Sequence, residues 1–146
     1  MNGTSLNKIL LFLSILIFAV VQGKASQGPI DSIRKFVSAM NSQKYKQAYL
    51  YISKPLQNEM SYGEFERGAK QVKSIKLISA KITHQTPRVA KARIMVQSLE
   101  RNEENKKWER KKHIGELVFI PESGQWKVIQ IDLKYFKDSK NKTRTN

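Results

Sequence analysis

Residues 74–96 read SIKLISAKITHQTPRVAKARIMV, and this stretch decides the fold class. From about Ser74 the apolar residues recur at every second position, first at Ile78, Ala80 and Ile82 and then at Ala90, Ala92, Ile94 and Val96. A period of two is typical of a strand with one buried face, and Thr86-Pro87 between the two runs is typical of a turn. The stretch therefore predicts two antiparallel strands joined by a short connection.

Two more strands are expected after this pair. Residues 114–120 form an apolar run that ends at Pro121-Glu122-Ser123-Gly124, and residues 126–133 form the last strand. The polar residues 101–107 predict the tip of a long hairpin. Consecutive strands with short polar connections imply an antiparallel meander of four strands.

In the region before the strands, the apolar residues recur at the three- and four-residue intervals of helices. Pro29 suits the first turn of a helix whose apolar residues continue to Met40, and a second short helix carries Tyr45 and Tyr49 and cannot continue through Pro55. Residues 61–64, Ser-Tyr-Gly-Glu, match a capping box that begins a third helix. The sequence therefore predicts an α+β fold with three N-terminal helices packed on a curved four-stranded antiparallel sheet.

The first 25 residues are typical of an export signal. Lys8 precedes thirteen uncharged, almost wholly apolar residues, and small residues follow at Gly23 and Ala25. We expect cleavage after Ala25, or alternatively after Gly23, and a periplasmic or secreted protein. The alternative is an uncleaved membrane anchor. The predicted organisation is a signal peptide at residues 1–25, one domain at 26–133 and a basic tail at 134–146.

Composition excludes several classes of protein. The chain of 146 residues contains no cysteine, which excludes disulfides, cysteine zinc sites, a cysteine nucleophile and a lipid-modified N-terminal cysteine. The formal charge is +15, and removing residues 1–25 takes away Lys8 and Lys24 but no acid, which leaves +13. The 40% apolar content is that of a globular protein rather than a disordered basic tail.

The order of these pieces resembles the nuclear-transport-factor-2-like superfamily, and within it small exported bacterial domains of unknown function. The resemblance spans residues 29–133 and rests on the opening helix, on residues 45–49, on residues 56–65 and on the closing Gly-Gln-Trp-Lys-Val at 124–128. It implies a cone in which helices sit against a curved sheet around a concave pocket, and frequent homodimers. It implies no single function, because members include isomerases, dehydratases, ligand binders and structural modules.

Five residues are candidates for lining the implied pocket: Tyr45, Tyr49, Phe65, Trp126 and Asp132. Tyr45, Tyr49 and Phe65 lie at helical spacing, which is also the usual pattern of a simple core. Asp132 shares strand parity with Trp126 and is therefore expected on the same face of the sheet.

A catalytic site is not evident in the sequence. Glu116 and Asp132 are the only acids in the predicted strands, and an isomerase-like reaction would use Asp132 as its base. The two histidines, His84 and His113, lack zinc-ligand spacing, and no nucleophile elbow occurs. We therefore assign no catalytic residue, no metal and no cofactor.

Positive charge concentrates in the tail and around the central hairpin. The hairpin residues expected to contact an anionic partner are Arg101, Lys106, Lys107, Trp108, Arg110, Lys111 and Lys112. Because export is expected, an anionic membrane surface or envelope polymer is favoured over nucleic acid. The alternative is a solvated surface without a specific partner.

Together these features predict an exported, non-enzymatic binding or assembly module of the bacterial cell envelope. Its expected partners are a small apolar ligand or an envelope protein, reached through the concave pocket or the basic hairpin. The alternatives are a cofactor-free isomerase or dehydratase of the same fold, and an anchored periplasmic subunit resembling type IV secretion inner-membrane components.

Overall fold

The computed structural model describes residues 27–136, in which four helices precede four strands. The helices are α1 (Pro29–Asn41), α2 (Tyr45–Tyr49), α3 (Lys54–Glu59) and α4 (Tyr62–Ala69), and the strands are β1 (Val72–Gln85), β2 (Ala90–Arg101), β3 (Trp108–Glu122) and β4 (Gln125–Phe136). The predicted α+β class is confirmed. The export signal, its cleavage site and residues 137–146 of the tail lie outside the described residues.

The strands form one sheet in the order β1-β2-β3-β4, with each neighbouring pair antiparallel. This is the expected meander. The last strand continues to Phe136, three residues beyond the predicted end of the domain at residue 133. None of the helices within residues 27–136 is both long and apolar enough to cross a bilayer.

The helices differ in number from the expectation. The capping box of α4 is present, with the backbone N–H groups of Ser61 and Glu64 each bonded to the other residue's side chain. However, α3 was not expected, and the prediction of three helices is wrong. Pro55 blocks a continuing helix but its fixed φ suits the first turn of a new one, so α3 begins there. Glu122 supports this start by accepting a hydrogen bond from the Lys54 N–H at 3.0 Å.

The helices cover one face of the sheet, called here the inner face, and the opposite side is the outer face. The inner-face core joins Ile33 of α1 to buried residues of three strands: Ala90, Ala92, Ile94, Val96, Leu117, Phe119 and Trp126. A second apolar cluster packs the helices against one another around Ala48, Ile52 and Phe65. The side-chain amide of Asn41 fixes the end of α1 over the sheet by exchanging two 2.8 Å hydrogen bonds with the backbone of Ile75.

Irregular pairing in β1 changes which residues are buried. The register with β2 shifts between Leu77 and Ser79, and the apolar residues packed on the inner-face core are Ile75, Leu77, Ala80 and Ile82. Ile78 was expected on that face but is 44% exposed. The prediction for Ile78 is wrong because one extra residue in a strand inverts the alternation of its faces.

Candidate functional site

An apolar cavity of about 180 Å³ lies between α1 and the inner face of the sheet. Its α1 wall is formed by Ile33, Phe36 and Val37. The remaining described residues that line it are Ser32, Tyr51, Ile52, Met60, Phe65, Ile75, Ile94, Val96, Leu117, Val128, Ile131 and Leu133. Because this lining contains no carboxylate, imidazole or cationic group, the cavity suits a molecule that is itself apolar.

The cavity reaches the surface along β4, which is an edge strand. Ile131 lines the cavity and is nevertheless 52% exposed, and Tyr135 on the same face of the strand is 56% exposed. Half-exposed apolar side chains at a cavity mouth leave a path for a ligand that does not require unfolding of the core.

A β-bulge in β4 determines which side chains face the cavity. Phe119 pairs with Val128, whereas Val118 pairs with Gln130, so Ile129 is an extra residue in the ladder. Next to the bulge, the outer edge of β4 is hydrogen-bonded to residues 51–53. The Val128 N–H donates to the Tyr51 carbonyl and the Val128 carbonyl accepts from the Ser53 N–H, both at 2.8 Å.

This bulge places Asp132 away from the cavity. After the extra residue, Ile131 and Leu133 lie on the inner face, while Asp132 is exposed and paired with Glu116 of β3. The prediction that Asp132 shares a face with Trp126 is wrong, because the bulge inverts the alternation between them.

Of the other four candidate pocket residues, Phe65 lines the cavity. Its ring packs on Phe36 and Tyr49, with centroids 6.3 and 5.3 Å away. The Tyr49 hydroxyl donates to the Met60 carbonyl at 2.7 Å within the helix cluster, and Tyr45 is half-buried against the same cluster. Trp126 is buried in the inner-face core and is absent from the cavity lining. A binding role for these residues stays a prediction.

A polar cluster continues the inner face beyond the cavity, and sequence reasoning missed it. His113 is paired with cavity-lining Val96, and its Nε2 lies 2.7 Å from Oε1 of Glu100. The same carboxylate accepts from the Ser98 hydroxyl and lies 3.4 Å from Nζ of Lys111. These residues come together only through the register of β2 and β3, because Glu100 and His113 are thirteen positions apart in the chain.

The environment of Glu100 favours its charged form. Burial raises the pKa of the carboxyl, but hydrogen bonds from Ser98 and His113 and the charges of His113 and Lys111 outweigh burial, so the pKa lies below its ordinary value of 4.5. A carboxyl whose pKa is lower in the folded than in the unfolded chain stabilises the fold above the unfolded pKa. That stabilisation is lost as pH falls through the folded pKa.

We therefore expect Glu100→Gln to lower the free energy of unfolding by about 1–2 kcal/mol at pH 7. The difference from the unsubstituted chain should begin to narrow as pH falls through 4.5, where the carboxyl of the unfolded chain becomes protonated, and should close only below the lower pKa of the folded chain. Urea unfolding from pH 3 to 7 measures both effects. Glu103→Gln removes the same charge from the exposed hairpin tip and should cost less than about 0.5 kcal/mol. A constant difference across this pH range would contradict the interpretation.

The residues of the predicted basic hairpin are divided among three surfaces. Lys106 and Lys107 are exposed in the loop of residues 102–107. Arg101, Trp108, Arg110 and Lys112 alternate with inner-face residues of β2 and β3 and therefore lie on the outer face. Lys111 is on the inner face beside Glu100, on the opposite side from those four residues. Contact of the basic hairpin with an anionic partner stays a prediction.

Metal binding has no candidate within residues 27–136, because no group of three or more histidine, aspartate or glutamate side chains converges there.

Comparison with known proteins does not identify a family for this chain. No family model and no curated protein matches the chain. Among solved structures, the chain is similar to a protein from Silicibacter sp. TM1040 that is provisionally named a polyketide cyclase. The identity is 15% and the TM-score 0.45, and the match covers 76% of this chain and 90% of that chain. A likeness this distant carries no argument about activity.

Proposed function

We propose that this protein is a non-enzymatic binding module that holds a small apolar molecule between α1 and the sheet, inside a cone-like domain of the nuclear-transport-factor-2-like type. The observation that supports the proposal is the apolar cavity of about 180 Å³ that opens beside Ile131. The order of four helices and a four-stranded meander within residues 27–136 supports the fold assignment. An envelope location is part of the proposal and rests on the sequence pattern of residues 1–25.

The volume of the cavity sets the size of the ligand. An engineered apolar cavity of about 150 Å³ in another protein stays dry and binds benzene. A cavity of about 180 Å³ therefore fits one aromatic ring, a ring with a short substituent or a branched alkyl group of similar size. Because the lining offers shape and apolar contact rather than charge, we expect dissociation constants on the order of 0.1–1 mM for benzene-sized probes.

Filling the cavity should abolish binding without unfolding the protein. Val37 is half-buried on α1 and lines the cavity, so the larger ring in Val37→Phe would occupy the space of the ligand. We expect benzene at ten times its dissociation constant to stabilise the unsubstituted chain by about 1.4 kcal/mol and Val37→Phe by less than about 0.3 kcal/mol. Thermal unfolding with and without benzene measures this stabilisation.

The matched control is Ile78→Phe, which adds the same ring at a site that is 44% exposed and absent from the cavity lining. Its response to benzene should equal that of the unsubstituted chain. If Val37→Phe and Ile78→Phe respond equally to benzene, binding occurs elsewhere and the proposal is wrong.

The enzymatic alternative depends on Asp132 as its base, and Asp132 does not face the cavity. A cofactor-free isomerase or dehydratase needs a base that touches the bound molecule, and Asp132 lies on the opposite face from the cavity. Binding is therefore the function that this geometry supports best.

A further inference from the structure

The outer face of the sheet carries a dense group of cations at the end nearest the β2–β3 loop. Its members come from all four strands: Lys73, Lys76, Arg101, Arg110 and Lys134. Glu100 and Lys111 meet on the inner face. Because side chains alternate along a strand, the adjacent residues Arg101 and Arg110 lie on the outer face. In the same way, Lys76 lies between Ile75 and Leu77, which pack on the inner-face core.

Two aromatic side chains accompany these cations. Trp108 is paired with Arg101 and is 43% exposed, and Nζ of Lys73 lies 5.9 Å from the centroid of its ring. Phe136 is paired with Lys112 and is 47% exposed. We call the five cations together with Trp108 and Phe136 the basic outer face.

The acids of the outer face border this group only at Lys134, which lies two residues from Asp132 on the same face of β4. Glu116 and Asp132 are paired with each other further along β3 and β4, and Lys91 lies 3.8 Å from Glu116. In the described strands, the basic outer face therefore contains no carboxylate of its own. Apart from Lys134, these five cations have no acid beside them in the described strands, which leaves their charge for an external anionic partner.

We propose that the basic outer face binds the surface of an anionic lipid bilayer. Each lysine or arginine close to such a surface strengthens binding about five-fold, and the effect requires no specific geometry. Tryptophan favours the depth of the lipid headgroups, where its ring is apolar and its N–H remains hydrated. Half-buried Leu99 and Ile114 fill the space between the cations with aliphatic rather than hydrogen-bonding surface.

The same observations disfavour a single-stranded nucleic acid. Such a strand gains affinity by stacking its bases on exposed aromatic rings. One face of the Trp108 ring already carries the ammonium group of Lys73, which would have to be displaced by a stacked base. An ammonium over the ring does not hinder insertion of the ring edge among lipid headgroups.

Vesicle sedimentation with the full chain tests the proposal. The measured quantity is the ratio of binding to phosphatidylcholine vesicles containing 30% phosphatidylglycerol over binding to pure phosphatidylcholine vesicles. Residues 1–26 are the same in every variant, so their contribution cancels when the ratios of two variants are compared. The triple variant Lys76→Gln, Arg110→Gln, Lys134→Gln should lower this ratio ten- to hundred-fold. A control triple, Lys44→Gln, Lys46→Gln, Arg88→Gln, removes the same charge from exposed sites elsewhere and should lower it less than three-fold.

Tryptophan fluorescence provides a second readout that needs no charge variant. Anionic vesicles should shift the emission of Trp108 to shorter wavelength and protect it from acrylamide, and Trp108→Phe, which retains only the buried Trp126, should show neither change. The proposal is overturned if the two triple variants lose equal binding, or if Trp108 emission is unchanged by vesicles that sediment the protein. Tighter binding of a single-stranded oligonucleotide than of anionic vesicles at the same salt concentration would overturn it as well.

Discussion

Gly115→Ala should lower the free energy of unfolding by about 3 kcal/mol, at the upper end of the cost of overpacking a well-packed core. Gly115 lies in β3 opposite Leu133 of β4. A Cβ atom at this position would overlap the carbonyl oxygen of Asp132 and would lie 2.8 Å from its carbonyl carbon and 2.9 Å from Cα of Leu133. All three are backbone atoms, so no side-chain rotation relieves the overlap and β4 has to move.

The displacement of β4 also affects the proposed binding site, because Ile131 and Leu133 line the cavity. Gly68→Ala is the matched control: nothing lies within 4 Å of a Cβ there, and its position near the end of α4 favours alanine. It should stabilise the protein by about 0.4–1 kcal/mol. Urea unfolding measures both variants, and equal stabilities would show that β3 and β4 are not as close as the structure places them.

Phe119→Ala should cost about 3–5 kcal/mol, the usual loss when a buried aromatic ring is removed. Phe119 is fully buried in the inner-face core and is paired with Ala90 on one side and Val128 on the other. Two alanines of β2, Ala90 and Ala92, are also fully buried nearby and offer no larger side chain that could fill the space.

Phe136→Ala removes the same ring from a site that is 47% exposed and should cost less than about 1 kcal/mol. Denaturant unfolding of the two variants therefore tests which aromatic side chains form the core. A loss at Phe136 as large as that at Phe119 would mean that the outer face is covered in the folded protein. That result would also contradict the membrane-binding proposal.

Local sequence patterns were sufficient for the four strands and for three of the four helices within residues 27–136. The period of two in residues 74–96 predicts the β1–β2 pair, and the Ser-Tyr-Gly-Glu stretch at 61–64 predicts the start of α4. Both signals depend on residues close together in the chain, where side-chain periodicity and capping act directly.

The errors arise where one residue or a distant partner changes the outcome. Bulges in β1 and β4 invert the faces of Ile78 and Asp132, and alternation in the sequence gives no sign of an inserted residue. The Lys54 N–H at the start of α3 donates a hydrogen bond to Glu122, which is 68 residues away in the chain, so a local pattern does not reveal this contact. Glu100 and His113 meet only through strand register, which sequence reasoning did not derive.

We expect the space between α1 and the sheet to accept a small apolar molecule. Methyl NMR spectra recorded during a benzene titration test it most directly, because a bound aromatic ring shifts the signals of the methyl groups that it touches. We predict saturable shifts for Ile33, Val37 and Ile131, which line the cavity, and none for exposed Ile78. Shifts at Ile78 as large as those at the three lining residues, or spectra that do not change with benzene, would contradict the account.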